Sequence, residues 1–192
     1  MILVYAGRRV DAADAEAPRF PQAAVPRVRH EIEEILRELR PTVVVGSAAC
    51  GSDLLVLEAA EKLRIRRRVV LPFERARFRA TSVADRPGDW GPAFDAIVKT
   101  VADAGDLVEL RLDADDAGTY LTTNSRIFDE ADAVSGGSNA GCAALVLWNG
   151  ATRGTGDVTE AFLNQARARD WLVREIDTSS PAGSSEALQE LR

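Results

Sequence analysis

Apolar runs of strand length alternate with stretches of helical period along almost the whole chain. Six runs rich in Val, Leu and Ile cover residues 2–6, 42–46, 68–73, 107–112, 143–149 and 171–176. Between the first two runs, apolar residues recur every three or four positions after Pro26, with Arg and Glu between them. This spacing predicts an amphipathic surface helix, because side chains three and four positions apart share one helix face. Similar spacing marks the segments around Phe94, Tyr120 and Val158.

The alternation of strand and helix predicts the fold class. Strands that are apolar almost throughout are buried on both faces, as in parallel sheets covered by helices. We therefore expect an α/β fold: a doubly wound, mostly parallel and Rossmann-like sheet with helices on both faces. Residues 1–177 form one predicted domain. The Gly- and Ser-rich segments 135–141 and 178–192 are expected to be a flexible loop and a flexible tail or linker to a further domain.

Composition and charge narrow the range of partners. The 192 residues include 24 Lys and Arg against 30 Asp and Glu, a net charge of -6. An acidic protein has no general field for holding a nucleic-acid backbone, so nucleic acid is not an expected partner. The opening MILVYAG lacks the features of a signal peptide, and no apolar run is long enough for a membrane span. These features favour a cytoplasmic location without a membrane partner.

The cysteines and the histidine do not suggest metal or disulfide chemistry. Cys50 and Cys142 lie far apart in the sequence, and His30 is the single histidine of the chain. Zinc and similar metals need a cluster of such ligands, which this spacing does not supply. Neither a metal site nor a structural disulfide is predicted, and no cofactor is expected.

Ligands of open α/β sheets bind outside the carboxyl ends of the strands, so the loops that follow the strands carry the candidate chemistry. These loops are residues 6–9, 46–53, 73–79 and 149–157. Three of them are rich in Gly or other small residues, and three contain Arg. Arg8 and Arg77 are therefore candidates for binding phosphate, although pairing with neighbouring Asp side chains fits the sequence equally well.

The second of these loops, GSAACGSD, carries no large side chain for seven residues and then places Asp53 at a helix start. Small residues let a backbone approach another group closely. Stepping 100° per residue puts Asp53 on the sheet-facing side of its helix, where its carboxylate should point into the crevice. It either accepts hydrogen bonds from a ribose or base, or simply favours the positive helix end. Asn124, within an apolar stripe, either bonds neighbouring backbone groups or contacts a ligand.

The loop NGATRGTGD, residues 149–157, resembles a phosphate-binding loop through its glycines and its position after a strand, although it is neither a P-loop nor a GxGxxG motif. Free N–H groups at the start of the next helix would meet the phosphate there. Asp157 and Glu160 have the spacing of a capping box. Glu160 points away from the apolar face, so a capping role is favoured over a catalytic one.

These motifs together resemble the SLOG superfamily, the Rossmann-like group that includes the LOG cytokinin-activating proteins, DprA and the YpsA-like proteins. GSAACGSDLLVLEAA is similar to the YpsA-like pattern of small residues, glycine, aspartate and a later Glu-Ala. RVVLPF, Trp90, Asn124 and ALVLWNG follow in a similar order. The resemblance covers about residues 1–177. It implies a nucleotide pocket formed by residues 46–53 and 150–156, in a domain often joined to an effector.

The loop positions and the resemblance together define the expected site. The candidate ligand contacts are Gly7, Arg8, Gly46, Ser47, Ala48, Gly51, Ser52, Asp53, Arg77, Asn124, Asn149, Gly150, Arg153, Gly154, Thr155 and Gly156. Glu160 and Asp53 are the candidate catalytic residues. The PGGxGTxxE motif of the LOG enzymes is replaced here by NGATRGTGDVTE. Their phosphoribohydrolase activity therefore does not carry over directly.

Three functions fit these observations. The first is a domain that binds and senses a nucleotide-like molecule, such as an ADP-ribose or NAD derivative or a signalling nucleotide. The second is an enzyme that cleaves or transfers an N-glycosidic bond, either a LOG-like phosphoribohydrolase or a deoxyribosyltransferase-like protein, with Glu160 or Asp53 as acid, base or nucleophile. The third is a nucleic-acid or protein interaction module. An effector domain or protein and a second copy of the chain are further candidate partners.

Overall fold

The computed structural model describes residues 1–136 and 141–179. Within them lie six strands and six α-helices, which alternate except that two helices follow the third strand. The strands are β1 Ile2–Gly7, β2 Val43–Gly46, β3 Arg66–Leu71, β4 Leu107–Glu109, β5 Cys142–Trp148 and β6 Leu172–Asp177. The helices are α1 Val25–Leu39, α2 Ser52–Lys62, α3 Arg75–Ser82, α4 Gly91–Asp103, α5 Thr119–Ser135 and α6 Val158–Arg167. Residues 137–140 of the predicted flexible loop and residues 180–192 of the predicted tail lie outside the described residues.

The six strands form one sheet in the order β4-β3-β2-β1-β5-β6. Every neighbouring pair is parallel. The predicted fold class, a doubly wound Rossmann-like α/β sheet, is therefore confirmed. The fourth apolar run was predicted to continue to residue 112, but β4 ends at Glu109. Arg111 has a φ of 56°, a left-handed conformation that an extended strand does not contain.

Two apolar layers cover the sheet. One layer packs α1, α2 and α4 against alternate strand residues such as Leu3 and Tyr5. The other packs α5 and α6 against the intervening residues, such as Val4 and Val146. Alternate strand residues point to opposite faces, so nearly continuous apolar strands supply both layers. Amphipathic helices on each face then complete the two cores.

Helix α5 returns the chain from the edge strand β4 to β5, on the opposite side of β1 from β2. The strand order therefore reverses between β1 and β5. The segments that follow β1 and β5 go to opposite faces of the sheet, because α1 lies in one apolar layer and α6 in the other. A crevice opens at such a switch point, outside the carboxyl ends of the strands.

In the part of the chain that the structure describes, every helix is too short or too polar to cross a lipid bilayer.

The described chain is anchored just beyond β6 by Thr178, whose side chain is fully buried. Its hydroxyl donates to the carbonyl of Arg19 at 2.6 Å. Its backbone N–H donates to the carbonyl of Trp148 at 3.2 Å. Residue 178 therefore packs as part of the domain, next to the predicted boundary at Asp177.

Truncation separates this anchor from the residues that follow. Removing residues 180–192, which lack apolar density, should leave the melting temperature unchanged. Removing residues 178–192 should cost roughly 1–3 kcal/mol, since the Arg19 carbonyl loses its buried donor. That cost corresponds to a fall of several degrees in a domain of this size. Differential scanning calorimetry of the two truncated chains measures the difference, and equal melting temperatures would contradict the anchoring role.

Candidate functional site

A cavity of about 300 Å³ lies at the switch point between β1 and β5. Its floor comes from the ends of β1 and β2, and its walls come from the starts of α2 and α5, from α3 and from the β5–α6 loop. Eight of the predicted ligand contacts line it: Gly7, Arg8, Ser47, Asp53, Asn124, Arg153, Thr155 and Gly156. Residues more than a hundred positions apart thus meet because parallel strands end at the same edge of the sheet.

Tyr5 explains why β2 ends in glycine. A Cβ atom at Gly46 would lie 2.4 Å from the Tyr5 ring, so only glycine fits beneath it. The Tyr5 hydroxyl donates to the carbonyl of Ser47 at 2.7 Å, which holds the start of the β2–α2 loop against β1. Burial raises the pKa of Tyr5 well above its usual value, with the Asp53 carboxylate adding to the effect. Tyr5 therefore stays protonated and acts as a fixed donor.

The remaining small residues of the β2–α2 loop pack against the protein itself. Gly51 has a φ of 83°, and a Cβ atom there would lie 2.7 Å from the backbone nitrogen of Val10. The Ser52 hydroxyl donates to the carbonyl of Arg8 at 2.7 Å. A Cβ atom at Gly7 would in turn lie 2.5 Å from the Ser52 side chain. Small residues here let the start of α2 dock on the loop after β1.

Asp53 borders the cavity, as its helical phase predicts. The residue is only 6% exposed. One carboxylate oxygen accepts a hydrogen bond from the backbone N–H of Ala49 at 3.1 Å. Burial raises the pKa of this carboxyl to about 7, against the smaller lowering effects of that hydrogen bond and of Arg9. A carboxyl that changes charge near neutral pH in a crevice is a common feature of functional sites.

Asn124 borders the same cavity from α5 and is also 6% exposed. Its side-chain nitrogen donates to the carbonyl of Val158 at 2.8 Å, at the start of α6. The bond joins α5 to α6 across the crevice. Both alternatives raised by the sequence are therefore compatible with its position, because one half of the amide bonds the backbone and the other half has no partner among the described residues.

A buried ion pair between Arg8 and Asp157 organises the β1 and β5 sides of the site. The guanidinium donates two hydrogen bonds to the carboxylate, at 2.9 Å and 2.7 Å. A third goes to the carbonyl of Ala151 at 2.8 Å. The two side chains are 1% and 0% exposed. Arg8, predicted as a ligand contact, thus has most of its donors committed to the β5–α6 loop.

Asp157 also caps α6, as predicted. Its carboxylate accepts from the backbone N–H groups of Thr159 and Glu160 at 2.9 Å and 3.2 Å. A further bond comes from the N–H of Arg153 at 2.7 Å. Burial alone would raise the pKa of Asp157, but the Arg8 guanidinium and these N–H groups lower it to about 2. The N–H groups that the helix start was expected to offer to phosphate are therefore largely occupied.

The reciprocal half of the predicted capping box is not formed. The backbone N–H of Asp157 donates to the carbonyl of Gly154, and the Glu160 carboxylate accepts from the Thr152 hydroxyl at 2.7 Å. Thr152 is nearer to Glu160 than the sequence spacing suggests, because the loop folds back over the first turn of α6. Glu160 lies in a shallow surface groove beside the loop, outside the main cavity.

Arg153 supplies a cation at the edge of the cavity. Among the described residues, its guanidinium has no hydrogen-bond or ion-pair partner. Partial burial and the positive charge of Arg8 lower its pKa, with Asp157 opposing the effect. The neighbouring N–H groups of Thr155 and Gly156 also have no acceptor within the described part of the chain. This edge can therefore bind an anion.

The other predicted contacts lie outside the main cavity: Gly46, Ala48, Gly51, Ser52, Arg77, Asn149, Gly150 and Gly154. Arg77 forms an exposed ion pair with Asp115 at 3.3 Å and lies over the Phe73 ring. It belongs to the α3 surface. Gly150 and Gly154 have φ values of 69° and 95°, so they shape the loop through their backbone conformation.

Twelve residues that line the cavity were not among the candidate contacts. Five of them lie in segments that the sequence had marked as loops: Ala6, Arg9, Ala49, Phe78 and Asp157. The other seven are Tyr5, Ser82, Tyr120, Thr123, Ile127, Val158 and Thr159. Tyr120 lies four positions before Asn124 and three before Thr123, so the apolar stripe of α5 that contains Tyr120 could have identified them. Phe78 and Ser82 come from α3, for which the apolar pattern provided no prediction.

Within the described residues, no group of three or more His, Cys, Asp or Glu side chains could hold a metal ion.

The buried pair generates a stability prediction. Replacing Arg8 by Met leaves the Asp157 charge buried without its main partner, so the free energy of unfolding should fall by about 3–5 kcal/mol. The low folded-state pKa means that Asp157 stabilises the fold above its ordinary pKa and loses this contribution as the pH falls toward 2. The wild type should lose about 2 kcal/mol through this group between pH 5 and pH 2. Urea unfolding should show that the free energy of unfolding of R8M falls less between pH 5 and pH 2 than that of the wild type. An identical pH dependence in the two proteins would contradict the pairing.

Asp53 generates the opposite pH dependence. Its raised folded-state pKa favours the protonated carboxyl, so its contribution to stability falls as the pH rises from about 4 to about 7. Replacement by Asn removes this loss, and the stability of D53N relative to wild type should grow by up to about 4 kcal/mol between pH 4 and pH 8. Asp103→Asn, at an exposed position on α4, is the matched control and should show no such trend. A difference between D53N and wild type that does not change with pH would contradict the raised pKa of Asp53.

No protein-family model matches the chain, and no curated protein or solved structure matches it. Its function is therefore inferred from the geometry and electrostatics of this cavity.

Proposed function

We propose that the chain is a SLOG-type domain that binds a nucleotide or nucleotide derivative in the switch-point cavity and reports its presence in the cytoplasm. One observation carries the proposal. The cavity is bordered on the β5 side of β1 by Arg153, a cation without an internal partner, and on the β2 side by Asp53, a buried carboxyl. A phosphate and a hydroxyl-bearing sugar or base are complementary to this pair of groups.

The charge distribution supports an anionic ligand at the β5–α6 loop. Arg8, Arg9 and Arg19 all contribute positive charge at Arg153, and Asp157 is the main opposing charge. This local excess of positive charge occurs in a protein with a net charge of -6. Arginine is suited to phosphate because its planar guanidinium donates two parallel hydrogen bonds. The free N–H groups of Thr155 and Gly156 add backbone donors beside it.

The same cavity supports binding better than catalysis. Glycosidic-bond cleavage needs a carboxylate within reach of the anomeric carbon or of an attacking water. Glu160 lies outside the cavity and is bonded to the Thr152 hydroxyl. A sensor needs only complementary contacts and a partner that responds, such as an effector domain or a second copy of the chain.

One observation favours a second candidate, an N-glycosidic hydrolase or transferase. Asp53 borders the cavity with a pKa of about 7, within the range that suits a general acid or base at neutral pH. In that reaction Asp53 would act as the acid, base or nucleophile at the anomeric carbon.

A ligand screen tests the proposed function. Thermal-shift measurements with nucleoside mono-, di- and triphosphates, NAD and ADP-ribose should identify at least one ligand that raises the melting temperature in proportion to its concentration. Isothermal titration calorimetry should then give a defined dissociation constant. Arg153→Ala should lower the affinity for this ligand by at least about tenfold, as expected for a lost charged hydrogen bond. Arg167→Ala, at an exposed ion pair near the end of α6, is the control. Failure of every compound to bind would overturn the proposal.

The β5–α6 loop can be tested through its backbone. Gly156→Val, at a position where φ is 84°, should distort the loop. The affinity for phosphorylated ligands should then fall more than the affinity for the matching nucleosides. Gly105→Val imposes similar strain at a φ of 74°, in the turn before β4 at the other edge of the sheet. It should lower stability by about 1–3 kcal/mol without a selective loss of phosphorylated ligands. Equal losses for nucleotide and nucleoside in G156V would remove the phosphate assignment.

Incubation separates sensor from enzyme. A nucleotide, NAD or ADP-ribose incubated with a stoichiometric amount of protein should be recovered intact by chromatography. Among the described residues that line the cavity, Asp53 is the one carboxyl without an ion pair. Multiple-turnover release of free base, lost in D53N, would establish the second candidate in place of the sensor.

A further inference from the structure

The orientation of the Asn124 amide is determined by its neighbour. The carbonyl of Val158 can only accept a hydrogen bond, and it receives one from Asn124 at 2.8 Å. The amide nitrogen must therefore face Val158, which leaves the amide oxygen on the other side. That oxygen has no partner among the described residues and is not sealed from solvent. Since Asn124 borders the cavity, its free oxygen presents an acceptor to whatever occupies it.

A second acceptor stands one residue earlier on the same helix. The Thr123 hydroxyl donates its proton to the carbonyl of Thr119 at 2.8 Å. A hydroxyl has one proton and two lone pairs, so the Thr123 oxygen retains only its capacity to accept. The residue is 3% exposed and lines the cavity. Helix α5 therefore offers two adjacent acceptors at this position, and the Thr123 hydroxyl proton is committed to Thr119.

The third acceptor comes from the opposite wall. One oxygen of Asp53 accepts from the N–H of Ala49. The other has no partner within the described chain. An ionised carboxylate has no proton to donate. Acceptors thus border the cavity from both α2 and α5. Among the described residues, donors without partners lie in the β5–α6 loop, at Arg153, Thr155 and Gly156, and after β1, at the buried Nε of Arg8.

These three acceptors specify the ligand more narrowly than the proposed function, on which the inference rests. We infer that the walls formed by Asp53, Thr123 and Asn124 bind two neighbouring hydroxyl groups of the ligand, the unsubstituted diol of a ribose, while its phosphate lies against Arg153. Each hydroxyl supplies a proton that a buried acceptor otherwise lacks. A 2′-deoxyribose removes one of these protons and leaves an acceptor unpaired.

The loss of one such bond to a buried group changes affinity by about 10- to 100-fold. Calorimetric titration of the full chain should therefore show each ribonucleotide binding at least about tenfold more tightly than its 2′-deoxy counterpart. The panel comprises the adenosine, guanosine, cytidine and uridine 5′-mono- and diphosphates, ADP-ribose, and the deoxy form of each. The ratio should rise as the pH passes upward through about 7, because the ionised Asp53 accepts more strongly than the protonated one.

Asp53→Asn replaces one acceptor by a donor without changing the shape of the side chain. The N–H of Ala49 requires an oxygen, so the new amide should turn its nitrogen, a donor, to the cavity. The ribose preference should then fall below about threefold. Thr123→Val removes the acceptor on α5 and should also reduce the preference. Asp103→Asn, which makes the same chemical change at an exposed site, should preserve it.

The outcomes separate the two levels of inference. Equal affinity for ribo- and deoxynucleotides, or tighter binding of the deoxy form, would overturn the ribose assignment and leave the proposed function standing. An unchanged ribose preference in both D53N and T123V would also overturn it. Failure of the whole panel to bind would overturn the ribose assignment together with the proposed nucleotide function.

Discussion

The buried pair of Arg8 and Asp157 is the constraint on which the site depends. It joins the residue after β1 to the residue before α6, across the point where the strand order reverses. Removing two charges from water is unfavourable, and only close hydrogen-bonded geometry compensates for it. Here the compensation comes from the paired bonds between the side chains and from three backbone N–H groups at Asp157. The pair thereby determines the path of the β5–α6 loop and leaves Arg153 as the available cation.

Much of the fold could be predicted from the sequence because its physical signal is local. Continuous apolar runs and amphipathic periods identify strands and helices without reference to distant residues. The helical phase of Asp53 likewise needs only its own helix, and the structure has this residue at the cavity. The ligand role of Asp53, like the SLOG resemblance, stays a prediction.

The rest of the site depends on contacts between distant segments, which a single sequence does not reveal. The small residues of the β2–α2 loop suggested close approach to a ligand. In the structure Gly46 makes room for Tyr5, and Gly51 makes room for Val10. Small size indicates that something is near, but it does not identify the neighbour. Arg8 illustrates the same limit, since its partner lies 149 positions away.

The return of the chain through α5 gives the cavity a mechanical property. Its α2 wall belongs to the part of the chain before α5, whereas α5 and the β5–α6 loop belong to the part after β4. These two parts are joined by the long crossover, by the pairing of β1 with β5 and by the buried pair of Arg8 and Asp157. A small molecule bound to both walls would link these two parts and oppose their movement relative to one another. Occupancy would then be communicated as a change in stiffness between two halves of the sheet, without any helix having to change its shape.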